Sequence, residues 1–496
     1  MHSRNNLILF ISLFLAGLLI VLLLNLAEKI NKPEPLPPVV DSFIDEKVAS
    51  RMSFGETILV TKECSGIPEN VFQEFKRLKQ QAVTLIKQEN YEQATDYFEK
   101  AREYCANAPE NLIYLNNAKI GNQEAYTIPV IVPSENSPNP NNAVEMLRGF
   151  AQAQWKINQQ GGIEGIPLKL LVINDDDNPE IAKQIANYLL KQEDILAVIG
   201  HWTSDVSLAV APIYEQEKLV FITPISITNQ LANYENYVFQ TNIDHYQGAK
   251  RLVEYMVEDW QKQKAAIFYA KNVTYSEEMK RAFRRILETQ FEGDVVATFD
   301  FNDPDFEPKS SWQQAKDRGA EVLVFATNNE SVNKALRVMH VNDGRLKLIG
   351  DFANLYRSST LDEGKEDAVD LVMAIAWHVD NHSDSDFVKN AQQLWGTKSV
   401  NYVTAMSYNA MQALITALQS NQNPSRITIQ QALKAPNFAA QGAGEEVKFT
   451  SQGERQGKVQ LVEVRAKTDG NGFEFVPISE VKAEEAINGD DSVPID

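Results

Sequence analysis

The sequence has few cysteines and histidines and no excess of positive charge. Its 496 residues include two Cys and six His, and the formal net charge is −20. Nucleic-acid binding requires clustered Lys and Arg side chains against the phosphates, and the sequence contains no basic cluster. Two cysteines without a histidine close to them in the sequence do not supply a set of metal ligands. These absences argue against a nucleic-acid-binding protein and against a structural zinc site.

Motifs for nucleotide binding and for hydrolysis are also missing. The glycine clusters GGIEG and GAG match neither G-x-G-x-x-G nor the P-loop, so no cofactor is predicted. The stretch GHWTSDVSLAVAPIY contains His201, Ser204 and Asp205, which are residue types used in nucleophilic catalysis. However, T-S-D-V stands where a nucleophile elbow has G-x-S-x-G, and the side chains of adjacent Ser and Asp residues diverge. We therefore predict that the protein is not an enzyme.

A long apolar run lies near the start of the chain. The eighteen residues Leu7–Leu24 are uncharged and mostly aliphatic, with Arg4 before them and Glu28 after them. A helix of this length reaches about 27 Å, close to the hydrocarbon thickness of a bilayer, about 30 Å. We predict an uncleaved signal anchor, a transmembrane helix, within residues 1–30; a cleaved secretory signal is the alternative. Either reading places the bulk of the chain in the periplasm or an equivalent extracytoplasmic space, and the anchor would tether it to the inner (plasma) membrane.

A linker and a helical hairpin are predicted after the anchor. The Pro-rich segment NKPEPLPPVVD opens a linker over residues 31–70. Residues 71–121 place apolar side chains at helical spacing, among them Ala82, Ala94 and Phe98. This pattern resembles a single tetratricopeptide repeat, but arrays of such repeats usually need three copies. The hairpin therefore either packs on the following domain or presents a surface to a partner.

The two cysteines, Cys64 and Cys105, flank most of this hairpin. In an exported protein they could form a disulfide bond, which would close a loop of about forty residues. Two buried free thiols are the alternative. The sequence does not decide between them.

From Tyr126 onward, short apolar runs alternate with amphipathic segments. This order is typical of βαβ units and a parallel sheet. The alternation starts afresh near Tyr246, which indicates two α/β lobes with a cleft between them. The predicted domains are an N-terminal lobe and a C-terminal lobe, each built from two segments, followed by an acidic tail: 126–243 with about 384–440, 244–377 with about 445–478, and 479–496.

Hydroxyl residues follow two neighbouring strands of the first predicted lobe. Thr203 or Ser204 can cap the helix that begins after one strand, which leaves backbone N–H groups free to bind an anion such as a carboxylate. The next strand leads into ITPISIT, with Ser226 and Thr228. Because strand ends of an open α/β sheet form ligand sites, these residues predict a carboxylate-binding site. Helix capping without a ligand is the alternative.

The ordered set GGI-x-G, an acidic run before a helix, GH-x-x-S, PIY and I-x-P-x-x-x-T resembles the type I periplasmic binding proteins. The similarity runs from about Tyr126 to Ile478, and the group that it most resembles binds branched-chain amino acids and related amides for ABC importers. This resemblance implies two Rossmann-like lobes joined by a hinge, with the ligand held in the cleft between them.

The resemblance also implies roles for individual residues. Ser204 would hold the ligand α-carboxylate, Ser226 and Thr228 would hold its amino and carboxylate groups, Tyr275 would close over it, and Asp351 would pair with the α-ammonium. The chain departs from the family at two further positions. Asn142 stands where many relatives have an aromatic residue, and Phe352 stands where others have glycine. The side-chain pocket is therefore not predicted.

Other candidate sites are better explained structurally. His378 and His382 lie in a predicted loop, so no metal site is expected, and Trp377 is expected in the core. The sequence thus predicts a solute-binding protein that captures an amino acid or a related amide and delivers it to ABC permease subunits. A membrane-anchored sensor that uses the same domain without transport is the alternative.

Overall fold

The computed structural model describes residues 46–64, 66–133, 141–234, 236–397 and 400–478. The chain divides into two compact units, Met1–Ser50 and Arg51–Asp496. In the first unit the described residues form one helical turn over 46–49. The predicted signal anchor, residues 1–30, and the acidic tail, 479–496, lie outside the described residues. Within the described ranges no helix is both long and apolar enough to cross a membrane.

The second unit begins with a short strand and three helices: β1 (Met52–Ser53), α1 (Glu69–Lys87), α2 (Tyr91–Tyr104) and α3 (Pro109–Ile120). Helices α1 and α2 form the predicted hairpin, and Ala82, Ala94 and Phe98 are fully buried in it. The third helix, which starts at Pro109, is buried along almost its whole length, because it packs against α2 on one side and the first lobe on the other. The hairpin thus packs on the following domain; its likeness to a tetratricopeptide repeat is not confirmed.

Two buried features fix this N-terminal region. Cys64 and Cys105 form a disulfide bond with their Cα atoms 6.1 Å apart. Lys79 donates to Glu63 and, at 2.6 Å, to Glu110, and all three side chains are almost inaccessible to solvent. Burial lowers the pKa of Lys79, but the two carboxylates outweigh this and raise the pKa above its ordinary value. Part of the predicted linker is therefore anchored, and β1 within it pairs with a strand of the first lobe.

The first lobe is an α/β layer whose sheet has the order β1-β3-β2-β4-β5-β6. All its pairings are parallel except that of the edge strand β1. Its elements are β2 (Tyr126–Val132), α4 (Asn141–Gln159), β3 (Leu168–Asn174), α5 (Pro179–Leu190), β4 (Ala197–Ile199), α6 (Ser204–Gln216), β5 (Val220–Thr223) and β6 (Val238–Gln240). Gly162, at φ +83°, follows α4 in a turn where a Cβ atom would lie 2.4 Å from the Ile166 carbonyl oxygen, so glycine is required.

The second lobe repeats the pattern, and its seven-stranded sheet includes two strands from the end of the chain, β15 (Gln460–Ala466) and β16 (Phe473–Pro477). Its first elements are α7 (His245–Glu254), β7 (Lys264–Tyr269), α8 (Thr274–Gln290), β8 (Asp294–Asp300), α9 (Pro308–Asp317), β9 (Val322–Ala326), α10 (Val332–Asn342), β10 (Lys347–Gly350), α11 (Phe352–Leu355), α12 (Ser358–Gly364) and β11 (Leu371–Ile375). The sheet order is β16-β15-β11-β10-β9-β7-β8. Strands β7 to β11 pair in parallel, and β15 pairs with β11 in antiparallel orientation.

The chain returns to the first lobe before it ends in the second. Helices α13 (Asp386–Trp395), α14 (Tyr402–Gln419) and α15 (Arg426–Leu433) pack on the first lobe. Gly149 of α4 lets α14 approach so closely that a Cβ atom would lie 2.3 Å from the Thr404 carbonyl oxygen. The last strands are β12 (Ala440–Gln441), β13 (Glu446–Phe449), β14 (Arg455–Gln456), β15 (Gln460–Ala466) and β16 (Phe473–Pro477). The final pair extends the second sheet, so several chain crossings connect the lobes.

Candidate functional site

A cavity of about 110 Å³ lies between the two lobes. Its lining comes from the segments that follow the carboxyl ends of strands in both sheets and from the start of α14. The lining residues are Trp202, Thr203, Ser204, Asp205, Ile225, Ser226, Ile227, Val273, Tyr275, Asn328, Asn329, Ala353, Asn354 and Tyr402. Ligand sites of open α/β sheets lie at this edge, so we take the cavity as the candidate binding site.

The N-terminus of α6 forms the first-lobe wall. Thr203 is the N-cap: its hydroxyl accepts from the Val206 N–H and donates to Asp177 at 2.7 Å. Ser204 is the first residue of the helix, and its hydroxyl has no hydrogen-bond partner among the described residues. The first N–H groups of a helix lack partners within it and carry its positive dipole end. This wall can therefore donate hydrogen bonds to an anionic group.

Ser226 contributes mainly its backbone and the shape of the loop after β5. Its hydroxyl donates to the Thr203 carbonyl oxygen at 3.1 Å and contacts the Ser207 hydroxyl, so it connects the loop to α6. Its carbonyl oxygen accepts from Gln240 at 3.2 Å. Ser226 thus lines the cavity while its own side chain is occupied within the lobe.

Tyr275 and Asp351 lie on the second-lobe side, but only Tyr275 lines the cavity. One carboxylate oxygen of Asp351 accepts from Thr327, at 2.8 Å from the backbone N–H and 2.6 Å from the hydroxyl. The other oxygen caps α11 through the Asn354 N–H at 2.8 Å. Burial raises the pKa of Asp351, and these hydrogen bonds oppose the shift. Burial and the adjacent Asp351 raise the pKa of Tyr275 well above its ordinary value. Because Tyr275 lines the cavity and also adjoins Asp351, it lies between the Asp351 carboxylate and the cavity.

Thr228 is fully buried and does not line the cavity. Its hydroxyl donates to Glu278 of α8 at 3.0 Å, and Gln230 donates to the same carboxylate oxygen at 2.6 Å. The other oxygen of Glu278 lies 3.0 Å from His245 Nε2. Burial alone would raise the pKa of Glu278. The contacts with His245, Gln230 and Thr228 lower the pKa by more than burial raises it, so it lies below its ordinary value. We call Thr228, Gln230, His245 and Glu278 the interlobe network, because it joins the first lobe to the second.

His201 and Asp205 are not arranged as catalytic partners of Ser204. The imidazole of His201 is fully buried, and its Nδ1 atom lies 2.6 Å from Asp175. Its Nε2 atom has no hydrogen-bond partner in the part of the chain that the structure describes. Asp205 instead accepts from the Thr274 hydroxyl across the mouth of the cleft. Within the described residues, His201 and Asp205 thus bond to groups other than the Ser204 hydroxyl.

Several lining residues were not predicted from the sequence. Asn328 and Asn329 follow β9 with one residue, Thr327, between, and the same strand-end argument that identified Ser204 would have found them. Trp202 lies between His201 and the predicted ligand residue Ser204. Tyr402 comes from the first helical turn of α14, more than a hundred residues after Ser204, and no local sequence signal connects it with the cleft.

The family model described as periplasmic binding protein matches residues 125–471. An amino acid binding protein of Pseudomonas aeruginosa is 28% identical over 200 residues, which cover 39% of this chain and 51% of that relative. A Leu/Ile/Val-binding protein of Escherichia coli is 32% identical over 136 residues, covering 27% of this chain and 36% of the relative. The aligned part of the chain thus spans about half, or less, of the length of these curated relatives.

Solved structures share the fold of the two lobes. An ABC transporter substrate-binding protein of Desulfitobacterium hafniense, solved with Leu, has a TM-score of 0.60 and 22% identity, covering 71% of this chain and 100% of that chain. A solute-binding protein of Rhodopseudomonas palustris, solved with 3,4-dihydroxybenzoic acid, has a TM-score of 0.61 and 15% identity, covering 72% and 96%. At these identities the likeness concerns the fold alone.

Proposed function

Because the chain belongs to the periplasmic binding protein family, we propose that it is an extracytoplasmic solute-binding protein that captures an amino acid or a related amide for an ABC importer. The observation that carries this proposal is the N-terminus of α6 with the unpaired hydroxyl of Ser204, both facing the interlobe cavity. Such a wall suits the α-carboxylate of an amino acid. The protein binds its ligand without transforming it.

The ligands of its relatives are consistent with this site. The curated relatives are named for amino acids, and the two structural neighbours were solved with leucine and with a benzoic acid. These ligands differ in their side groups but share a carboxylate. We therefore infer for this chain a wall that binds the carboxylate of the ligand, whatever the rest of the ligand is.

The other predicted ligand residues have distinct roles in this proposal. Tyr275 closes over the ligand from the second lobe, and Ser226 offers its backbone carbonyl oxygen, which can accept a second hydrogen bond besides the one from Gln240. Asp351 lies behind Tyr275, so in this conformation its charge attracts an α-ammonium without direct contact. Thr228 acts through the interlobe network described above. An anchor within residues 1–30 would hold the domain near its permease in the membrane.

Calorimetric titration with single amino acids and short amides tests the proposal, using the full-length chain in detergent. A ligand at a hundred times its dissociation constant should also stabilise the protein by about 2.7 kcal/mol. We expect Ser204→Ala to weaken binding about 10- to 100-fold, because one hydrogen bond to a charged group is lost. Ser310→Ala, in the exposed first turn of α9, is the matched control. Absence of binding by every amino acid and amide would refute the proposal.

A further inference from the structure

The second-lobe wall of the cavity carries three asparagine side chains, Asn328, Asn329 and Asn354. An asparagine amide can accept a hydrogen bond through its oxygen or donate through its nitrogen. Which of these it offers to a ligand depends on the partners behind it. In all three asparagines, one end of the side-chain amide is hydrogen-bonded to another residue of the protein, which determines the end that remains for a ligand.

Arg357 sets the orientation of Asn329. Its guanidinium donates to the Asn329 side-chain oxygen at 2.7 Å and approaches the Asn354 oxygen at 3.4 Å. The reverse orientation of Asn329 would place its NH₂ group against the guanidinium, donor against donor. The oxygen of Asn329 therefore faces Arg357, and its NH₂ group is left without an acceptor among the described residues.

Asn328 is oriented in the same sense by a different contact. Its side-chain oxygen accepts from the Ser331 N–H at 3.0 Å, while Ser331 Oγ accepts from the Asn328 N–H at 2.8 Å. Its NH₂ group also has no acceptor within the described ranges. The NH₂ group of Asn354, by contrast, is occupied by the Thr327 carbonyl oxygen at 2.8 Å. The wall thus presents two unpaired amide donors, from Asn328 and Asn329.

A positive charge, that of Arg357, lies behind the Asn329 donor. Arg357 is half-buried and has no carboxylate oxygen within 4.0 Å in the part of the chain covered by the structure. Burial lowers its pKa, and the more distant Asp351 opposes the shift. A guanidinium that is partly withdrawn from water and has no ion pair favours an anion or a strong acceptor nearby. Unpaired donors and an uncompensated cation lie on the same side of the cavity.

We propose that Asn328 and Asn329, oriented by Ser331 and Arg357, bind a second acceptor group on the ligand, so that the site selects an amino acid whose side chain ends in a carboxylate or a carboxamide. This inference rests on the proposed function, in which Ser204 and α6 bind the α-carboxylate. The apolar residues Trp202, Ile225 and Ile227 contact the methylene groups between the two ends. A branched aliphatic side chain would leave both amide donors buried and unpaired, which disfavours it.

Calorimetric titration of the full-length chain with L-glutamate, L-glutamine and L-leucine tests the proposal. We expect glutamate or glutamine to bind at least about tenfold more tightly than leucine, because leucine cannot pair the two donors. Tighter binding of glutamate identifies the carboxylate as the preferred group, and tighter binding of glutamine identifies the carboxamide. In Asn329→Leu, which keeps the size of the side chain, the ratio of polar-ligand to leucine affinity should fall about 10- to 100-fold.

A second variant keeps the test decisive if Asn329→Leu fails to fold. Asn329→Asp places a carboxylate beside Arg357 and should reduce glutamate binding more than glutamine binding. Asn187→Asp, on an exposed face of α5, is the control with the same charge change. Leucine binding equal to or tighter than that of both polar ligands would overturn this inference and leave the proposed function standing. Failure of all amino acids and amides to bind would overturn both.

Discussion

The carboxylate of Glu278 joins the second lobe to the first, and replacing it with glutamine tests what this contact does. One of its oxygens accepts from Thr228 at 3.0 Å and from Gln230 at 2.6 Å, and both donors follow β5 of the first lobe. Glu278 itself lies in α8 of the second lobe. Opening of the cleft must therefore break both hydrogen bonds. They stabilise the closed form relative to an open one.

The free energy that these hydrogen bonds contribute to the closed form depends on the negative charge of the Glu278 carboxylate. A hydrogen bond to a charged group contributes about 1.5–3 kcal/mol and a neutral one about 0.5–1.5 kcal/mol. Glu278→Gln removes the charge from two hydrogen bonds, so the closed form loses about 2 kcal/mol. This corresponds to about a 30-fold shift of the equilibrium toward the open form. If the free protein is mostly open, the ligand affinity falls by the same factor.

Calorimetric titration measures the affinity, and small-angle scattering measures the radius of gyration with and without ligand. Glu288→Gln is the matched control, because Glu288 lies on the exposed side of the same helix. A dissociation constant for Glu278→Gln within twofold of the wild-type value, in a folded protein, would refute the reasoning.

A double-mutant cycle with Thr228→Val separates the two possible roles of Thr228. If Thr228 acts through Glu278, the effects of Thr228→Val and Glu278→Gln on the affinity are strongly non-additive. If Thr228 contacts the ligand directly, as the family resemblance implies, the two effects add.

Two further predictions concern stability. Replacing Cys64 and Cys105 with serine should lower the free energy of unfolding by about 4 kcal/mol, since the disulfide closes a loop with a sequence separation of 41 residues; chemical denaturation measures this, and an unchanged midpoint would contradict it. Burial raises the pKa of Asp177 to about 7, so the folded state binds its proton more tightly than the unfolded state. The contribution of Asp177 to the free energy of unfolding should therefore fall as the pH rises from about 4 to about 7. Asp177→Asn should lack this contribution; a pH-independent difference from the wild type would contradict it.

The α/β part of the fold could be predicted because its signals are local. Asn178 and Pro179 mark the start of α5, and the structure has Asn178 as N-cap, accepting from the N–H groups of Glu180 and Ile181. The two-lobed periplasmic binding protein fold is confirmed by the family match and the solved structures. Each strand and helix there has its own hydrophobic period, so the order of the elements can be read from short windows of sequence.

Features that depend on distant partners could not be predicted in this way. Strand β1 is only two residues long, and Met52 pairs with Ile173, more than a hundred residues away. Pro109 begins a helix, α3, whose burial comes from packing against α2 and the first lobe. Neither feature has a periodic pattern of its own, because its stability comes from tertiary contacts.

In the candidate site, the position of a side chain could be predicted from the sequence, but the hydrogen-bonding group that it offers to a ligand could not. The rule that ligands bind at strand ends places Ser204 and Ser226 near the cleft from sequence alone, and the same rule applied to β9 would have placed Asn329 there. What each side chain offers to a ligand is decided by the residue behind it: Thr203 occupies the hydroxyl of Ser226, and Arg357 leaves only the NH₂ group of Asn329 available. Two chains with the same lining residues can therefore prefer different ligands. Arg357 does not line the cavity, yet we expect it to influence ligand selectivity as much as the lining residues do, because it orients the amide of Asn329.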